Sequence, residues 1–173
     1  MPEPARRTFP TSLRDTVRGW LEPAGWTFEE QEHPAVGVGL ADGEFLWVDA
    51  VARENVTVLI AEPATGPERL FVCYHFSLDL AERDRLDRLG RAERTQLAWD
   101  VRSHLHLLQV EYLIDAAVPN NLLLYVDVPR PCLTRDTLLG HLQRLAAALR
   151  LVSLAYAKAF GTLDEQPAAP SVH

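Results

Sequence analysis

The sequence is poor in the residues that usually form covalent or metal cross-links. Its 173 residues include two cysteines, Cys73 and Cys132, which lie in unrelated contexts. We therefore expect two reduced thiols, which are typical of a cytoplasmic protein, and no disulfide framework. His104 and His106 are two residues apart, about 200° around a helix, and the other four histidines have no partner at ligand spacing. The sequence predicts no bound metal and no cofactor.

The sequence also lacks a long apolar run and an excess of basic residues. Its most apolar segment, 145–160, contains Arg150 and Lys158, whereas a membrane-spanning helix needs about 20 apolar residues. Residues 1–7 lead into no apolar core of a signal peptide. Lys158 is the only lysine, and the formal net charge is -7. We therefore predict a cytoplasmic protein that binds neither membranes nor nucleic acids.

What the sequence does contain is one well-patterned domain. Hydrophobic residues make up 47% of the chain, which is enough for the core of a single domain. We predict that residues 12–161 form this domain. The two ends, residues 1–11 and 162–173, are expected to be a flexible arm and a flexible tail. An organising helix is predicted at 134–160, with Thr134 as its N-cap and Gly161 just after its end. The apolar residues that recur there at gaps of three and four are Leu138, Leu142, Leu145, Leu149, Val152 and Tyr156.

The remaining patterns predict further helices and strands. Ser12 caps a short first helix, and two-residue periodicity across 26–77 predicts four or five strands, with a hairpin turn at 41–44. Further segments follow in order: a charged helical turn at 80–89, a helix at 91–109, and strands at 111–118 and 122–128. Short turns between closely spaced strands imply antiparallel pairing. This order predicts an α+β fold in which helices cover one face of a mainly antiparallel sheet.

The second half of this order resembles a known family. The charged helical turn precedes Arg91-Ala-Glu-Arg-Thr-Gln-Leu97-Ala-Trp-Asp-Val101-Arg-Ser-His-Leu105; a strand pair then precedes Leu133-Thr134-Arg135-Asp136 at the start of the long helix. The pattern is similar to an uncharacterised prokaryotic family of domains of unknown function, whose fold is similar to the type III secretion chaperones and the YbjN-type proteins. Over most of 12–160 the resemblance implies a compact, often dimeric α+β domain that binds other proteins and is not an enzyme. It implies no catalytic or ligand-binding residues.

Two cysteines and a group of acids are the candidates for catalysis. On a strand, Cys73 and His75 share a face, but the apolar residues around Cys73 favour a buried thiol. Cys132 lies just before the predicted long helix, whose dipole can lower the pKa of a thiol, yet no catalytic partner is visible. Acids of the strand region are interpreted as solvated strand edges. They are Glu29, Glu30, Glu32, Asp49, Glu54 and Glu62.

Large apolar side chains outside the main helical stripes are candidates for an interface. Trp99 points away from the apolar stripe of its helix, and His106 follows it one heptad later. Leu139, Leu151 and Leu154 lie off the main face of the last helix. The alternative to an interface is that the helix is covered on two sides within the monomer, or that a single exposed apolar residue has no role. The interface and this alternative explain Trp99 equally well. For Leu151 the alternative is favoured.

Taken as a hypothesis, these features favour a non-enzymatic protein-binding module that is chaperone-like or adaptor-like. It would bind a protein partner, or itself as a homodimer, through the five candidate residues Trp99, His106, Leu139, Leu151 and Leu154. The alternative is a small-molecule-binding protein or small enzyme that uses Cys132 or a pocket between helix and sheet. In a third hypothesis, dimerisation accounts for all the exposed apolar surface.

Overall fold

Helices and antiparallel strands alternate along the chain, and they confirm the predicted α+β class. The computed structural model describes residues 12–31, 44–54, 56–65, 68–114 and 121–161. Its elements are α1 (Leu13–Leu21), β1 (Thr27–Glu30), β2 (Phe45–Arg53), β3 (Val56–Pro63), β4 (Arg69–Phe76), α2 (Leu80–Arg88), α3 (Arg91–Leu107), β5 (Glu111–Ile114), β6 (Leu122–Pro129) and α4 (Arg135–Ala159), with short 3-10 helices at Glu22–Ala24 and Arg130–Cys132. The predicted arm, the predicted tail and most of the predicted hairpin turn at 41–44 lie outside the described residues.

The six strands form one sheet in the order β1-β2-β3-β4-β6-β5. Every neighbouring pair is antiparallel. β6 pairs along its whole length with β4, and β5 pairs with the other side of β6. β5 therefore lies at the edge of the sheet, although it precedes β6 in the chain. The charged segment that was predicted as a helical turn is a helix of nine residues, α2.

The helices begin where polar side chains satisfy their free backbone N–H groups. The Ser12 hydroxyl accepts a hydrogen bond from the Asp15 backbone N–H at 3.1 Å. At α2, Asp79 and Glu82 form a reciprocal capping box. At α4, Thr134 and Thr137 do the same. Gly161 follows α4 with a φ of 70°, as predicted from its position.

One face of the sheet carries the main core. The apolar stripe of α4 packs there, and Leu138, Leu145 and Val152 are fully buried. Val17 and Leu21 of α1 and residues of α2 and α3 join the same cluster. The prediction that helices cover one face of the sheet is therefore confirmed.

The other face of the sheet is apolar as well. A second buried cluster draws on strands β2, β3, β4 and β6 and on no described helix; its buried members are Val48, Ala61, Phe71, Cys73 and Leu123. Phe71 packs edge-on against Tyr125, with 6.2 Å between ring centroids. The Tyr125 hydroxyl donates to Glu111 at 2.6 Å. Burial and this hydrogen bond raise the pKa of Tyr125 to about 12.

Asp49 connects α1 to the helix side of the sheet, which corrects its interpretation as a solvated strand edge. Its side chain is 1% exposed. The guanidinium groups of Arg14 and Arg18 donate to its oxygens at distances of 2.6–3.2 Å. Burial alone would raise the pKa of Asp49, but the hydrogen bonds from the two arginines outweigh it and hold the pKa below its ordinary value. Glu62 is also buried, which corrects its interpretation as a solvated strand edge, and the Trp47 indole N–H donates to its carboxylate at 2.6 Å.

We predict that Asp49→Asn lowers the free energy of unfolding at pH 7 by about 3 kcal/mol, since it removes the buried carboxylate shared by two partly buried arginines and leaves Arg14 only its exposed partner Glu30. The pKa of Asp49 is lower in the folded chain, so its contribution is present above the ordinary aspartate pKa of about 3.9 and is lost as the pH falls through the folded value. The difference between the wild type and the variant in urea unfolding should therefore shrink on acidification below about pH 4. Asp84→Asn is the control, because Asp84 is exposed. Equal losses in the two variants would contradict the prediction.

Candidate functional site

A groove lies between the α2–α3 pair and the β5 end of the sheet. α2 ends at Arg88 and α3 begins at Arg91, with Gly90 as its N-cap residue. The Glu93 carboxylate accepts from the Gly90 backbone N–H at 2.7 Å, which fixes the turn between the helices. The groove encloses about 410 Å³, within the usual size range of ligand pockets. We call it the α3 groove.

Apolar side chains form most of the α3 groove. Buried leucine and valine side chains line it, together with the buried Tyr156 of α4. On β5, Tyr112 is half-buried and Ile114 is 58% exposed. The apolar lining residues are Leu86, Leu97, Ala98, Val101, Tyr112, Ile114, Leu122 and Tyr156. This lining is therefore chemically suited to apolar groups.

Charged residues stand at the rim of the α3 groove. Arg94 and Arg102 line it from α3, and Asp87 lines it from α2; all three are exposed. Arg91, Arg94, Ala98 and Arg102 recur at gaps of three and four, so they share one flank of α3. Among the ion pairs formed between described residues, none involves these three arginines. This flank is therefore a local positive surface in a chain whose net charge is -7.

Trp99 lies on the outer side of the same flank and is 64% exposed. It borders a shallow depression together with Arg91, Arg94 and Arg102. Arg94 and Arg102 line both this depression and the α3 groove, so the two surfaces adjoin along α3. An exposed tryptophan next to guanidinium groups is a combination that protein interfaces favour.

The other candidate residues differ in exposure. His106 is exposed on α3, and Leu154 is 50% exposed on α4. Leu139 is half-buried and packs against the helix-side core. Leu151 is also half-buried. The depression around Trp99 is lined by α3 residues, and none of the three α4 leucines borders it.

Sequence reasoning missed the arginines of α3 and the exposed Ile114. The signal for the arginines was available, because their spacing places them on one helix flank. Ile114 could not be selected from sequence, since an apolar residue on a strand is usually buried.

The two cysteines lie in opposite environments. Cys73 is fully buried, and burial raises the pKa of its thiol, so at neutral pH it is protonated. Its strand neighbour His75 is exposed. Cys132 is exposed in the short 3-10 helix before α4. Its backbone carbonyl accepts from the Thr137 hydroxyl at 2.9 Å, and no hydrogen bond between described residues involves its sulfur. Groups of three or more potential metal ligands are also absent from the described part of the chain.

Comparison with known proteins identifies the fold alone. A crystal structure of an uncharacterised protein from Methanothermobacter thermautotrophicus is similar to this chain with a TM-score of 0.71 and 20% sequence identity, covering 86% of this chain and 99% of the archaeal one. No family model and no curated protein matches the sequence. No helix in the described segments has both the length and the apolar character needed to cross a bilayer.

We predict that a thiol reagent at pH 7 modifies Cys132 in the folded protein and modifies Cys73 only after unfolding, because only Cys132 is exposed. Single variants Cys73→Ser and Cys132→Ser assign the two reactions. Labelling of Cys132 should proceed at the rate of an ordinary exposed thiol. A much faster reaction would contradict this prediction and would favour the enzyme hypothesis.

Proposed function

We propose that this protein is a non-enzymatic binding module, chaperone-like or adaptor-like, that acts in the cytoplasm. One observation carries the proposal: Trp99 is 64% exposed on the positive flank of α3. Burying a tryptophan side chain removes roughly 150–250 Å² of its surface from water. A tryptophan at the centre of an interface is often one of the few residues that dominate binding. The location is supported by two free cysteines, one of them exposed, which suit a reducing compartment.

The resemblance to secretion chaperones and YbjN-type proteins agrees with this proposal. Its support is the order of the elements, from the charged helix α2 through α3 and the strand pair to the long helix α4. Such a module acts by binding its partner through the apolar surface of a helix and uses no catalytic group. The partner is a second protein or a second copy of this chain.

A second candidate function is the binding of a small molecule. The α3 groove supports it, because a volume of about 410 Å³ and an apolar lining are typical of ligand pockets. The proposal of a protein partner is stronger because the exposed Trp99 lies outside that groove, on a surface open to a large partner.

We predict that Trp99→Glu abolishes binding of the principal partner. The experiment is affinity capture from the native cell, with the mass of the purified protein measured by light scattering. A partner present in stoichiometric amount with the wild type should be lost from the variant. If the partner is a second copy, the wild type should scatter as a dimer and Trp99→Glu as a monomer.

The matched control is Leu46→Glu, since Leu46 is 60% exposed and lies on β2 of the sheet, away from α3. It should keep the partner. A wild type that stays monomeric and captures no stoichiometric protein would overturn the proposal. A small molecule that co-purifies with the wild type would then favour the second candidate.

A further inference from the structure

We propose that the α3 groove and its arginine flank bind an acidic amphipathic peptide segment of a partner protein. This inference rests on the proposed function and specifies the partner's chemistry. In such a segment, apolar side chains alternate with glutamate or aspartate at the spacing of one helix face or one strand face. The apolar side would enter the groove, and the carboxylates would meet the arginines.

The apolar part of the site is already formed. Leu97 and Val101 are buried and line the groove. Ile114, by contrast, is 58% exposed at the wall of the groove. Covering it would remove apolar surface from water, and each Å² of such surface contributes about 25 cal/mol.

The charged part of the site is unsatisfied within the described chain. Arg14 and Arg18 are paired with Asp49, and Arg69 is paired with Asp127. Arg91, Arg94 and Arg102 make no such ion pair with any described residue. Among the described residues that line the groove, Asp87 is the only acid, against the two arginines Arg94 and Arg102, so positive charge is in excess there. A guanidinium group binds a carboxylate through two parallel hydrogen bonds, which selects acidic side chains.

The spacing of the arginines favours a peptide over a small amphiphile. Arg91 and Arg102 are eleven residues apart, which is about 16 Å along the helix axis. That length corresponds to about three turns of a bound helix, or to about five residues of an extended strand. A fatty acid has one anionic head and can neutralise only one end of this row. A segment with several carboxylates can pair with the whole row.

The net charge of -7 does not prevent this binding. At physiological salt, interactions between exposed charges are screened beyond about 8 Å. A carboxylate in contact with Arg94 or Arg102 therefore experiences mainly the nearby guanidinium groups, and the distant acids contribute little. Binding should weaken as salt is raised, because the contact pairs are exposed and attractive.

The probe for the test is a fluorescein-labelled peptide of 14 residues, with leucines on one helical face and glutamates elsewhere. A second peptide has lysine for every glutamate, and a third has serine for every leucine. Fluorescence anisotropy with the intact chain of 173 residues should show binding of the first peptide only. Arg94→Glu/Arg102→Glu should weaken it at least about tenfold. Ile114→Ser should weaken it several-fold, through lost apolar contact.

Matched controls separate local from general effects. Arg135→Glu/Arg150→Glu makes the same change in net charge at two exposed arginines of α4, and Leu46→Ser removes a similarly exposed apolar residue. Both should bind the first peptide as the wild type does. Circular dichroism and thermal unfolding confirm that each variant is folded.

Several results would overturn the inference while leaving the proposed function intact. They are equal binding of the glutamate and lysine peptides, no binding of any peptide, and tighter binding of laurate than of the glutamate peptide. Dimers that dissociate in the Arg94→Glu/Arg102→Glu variant would assign the groove to a second copy instead. The proposed function fails separately, if Trp99→Glu and the wild type capture the same proteins.

Discussion

The burial of one side of α4 against the sheet is the interaction on which the rest of this structure depends. Leu138, Leu145 and Val152 lose all contact with solvent there, and each fully buried side chain of this size contributes about 1.5–3 kcal/mol. α4 has 25 residues, so it is about 38 Å long and crosses the middle of the domain. It lies over β4 and β6 and packs against both α1 and α3. Because α4 occupies the centre, α1 is confined to the β2 side and α3 to the β5 end.

The position of the α3 groove follows from the way α1, α4 and α3 share the helix-covered face of the sheet. At the β2 side, α1 is held by an ionic contact, in which Arg14 and Arg18 enclose the carboxylate of Asp49. At the β5 end, no ion pair between described residues holds α3, which packs through Leu97, Val101 and Leu105. The α3 groove lies where β5 meets the apolar side of α2 and α3, with Tyr112 and Ile114 of β5 in its lining. The same elements that complete the core therefore leave an apolar surface next to a row of arginines.

Local signals predicted the elements well, and distant contacts limited the prediction of the site. The bounds of α4 were predicted within one residue at each end, because Thr134 and Gly161 mark them with local chemistry. β6 lies between β4 and β5 because it pairs with β4, whose residues come more than about forty positions earlier in the chain. No local sequence signal encodes so distant a pairing. The prediction that Asp49 is solvated was wrong because the two arginines that bind its carboxylate are 31 and 35 residues away in sequence. Trp99 was selected for its place on α3, whereas the groove beside it depends on α2, β5 and β6 together.

The two apolar faces of the sheet have a consequence for how the strands find their partners. In most half-exposed sheets a slip by one residue would turn the apolar side chains to water, and this cost prevents the slip. Here Phe71 and Val72 are neighbours on β4 and are both buried, on opposite faces, so a slip would exchange one apolar face for the other. Asp49 and Glu62 oppose such an error. A slip of β2 would carry the Asp49 carboxylate away from Arg14 and Arg18 into the second apolar cluster. The buried acids thus penalise misaligned strand pairing, which the apolar residues alone would tolerate.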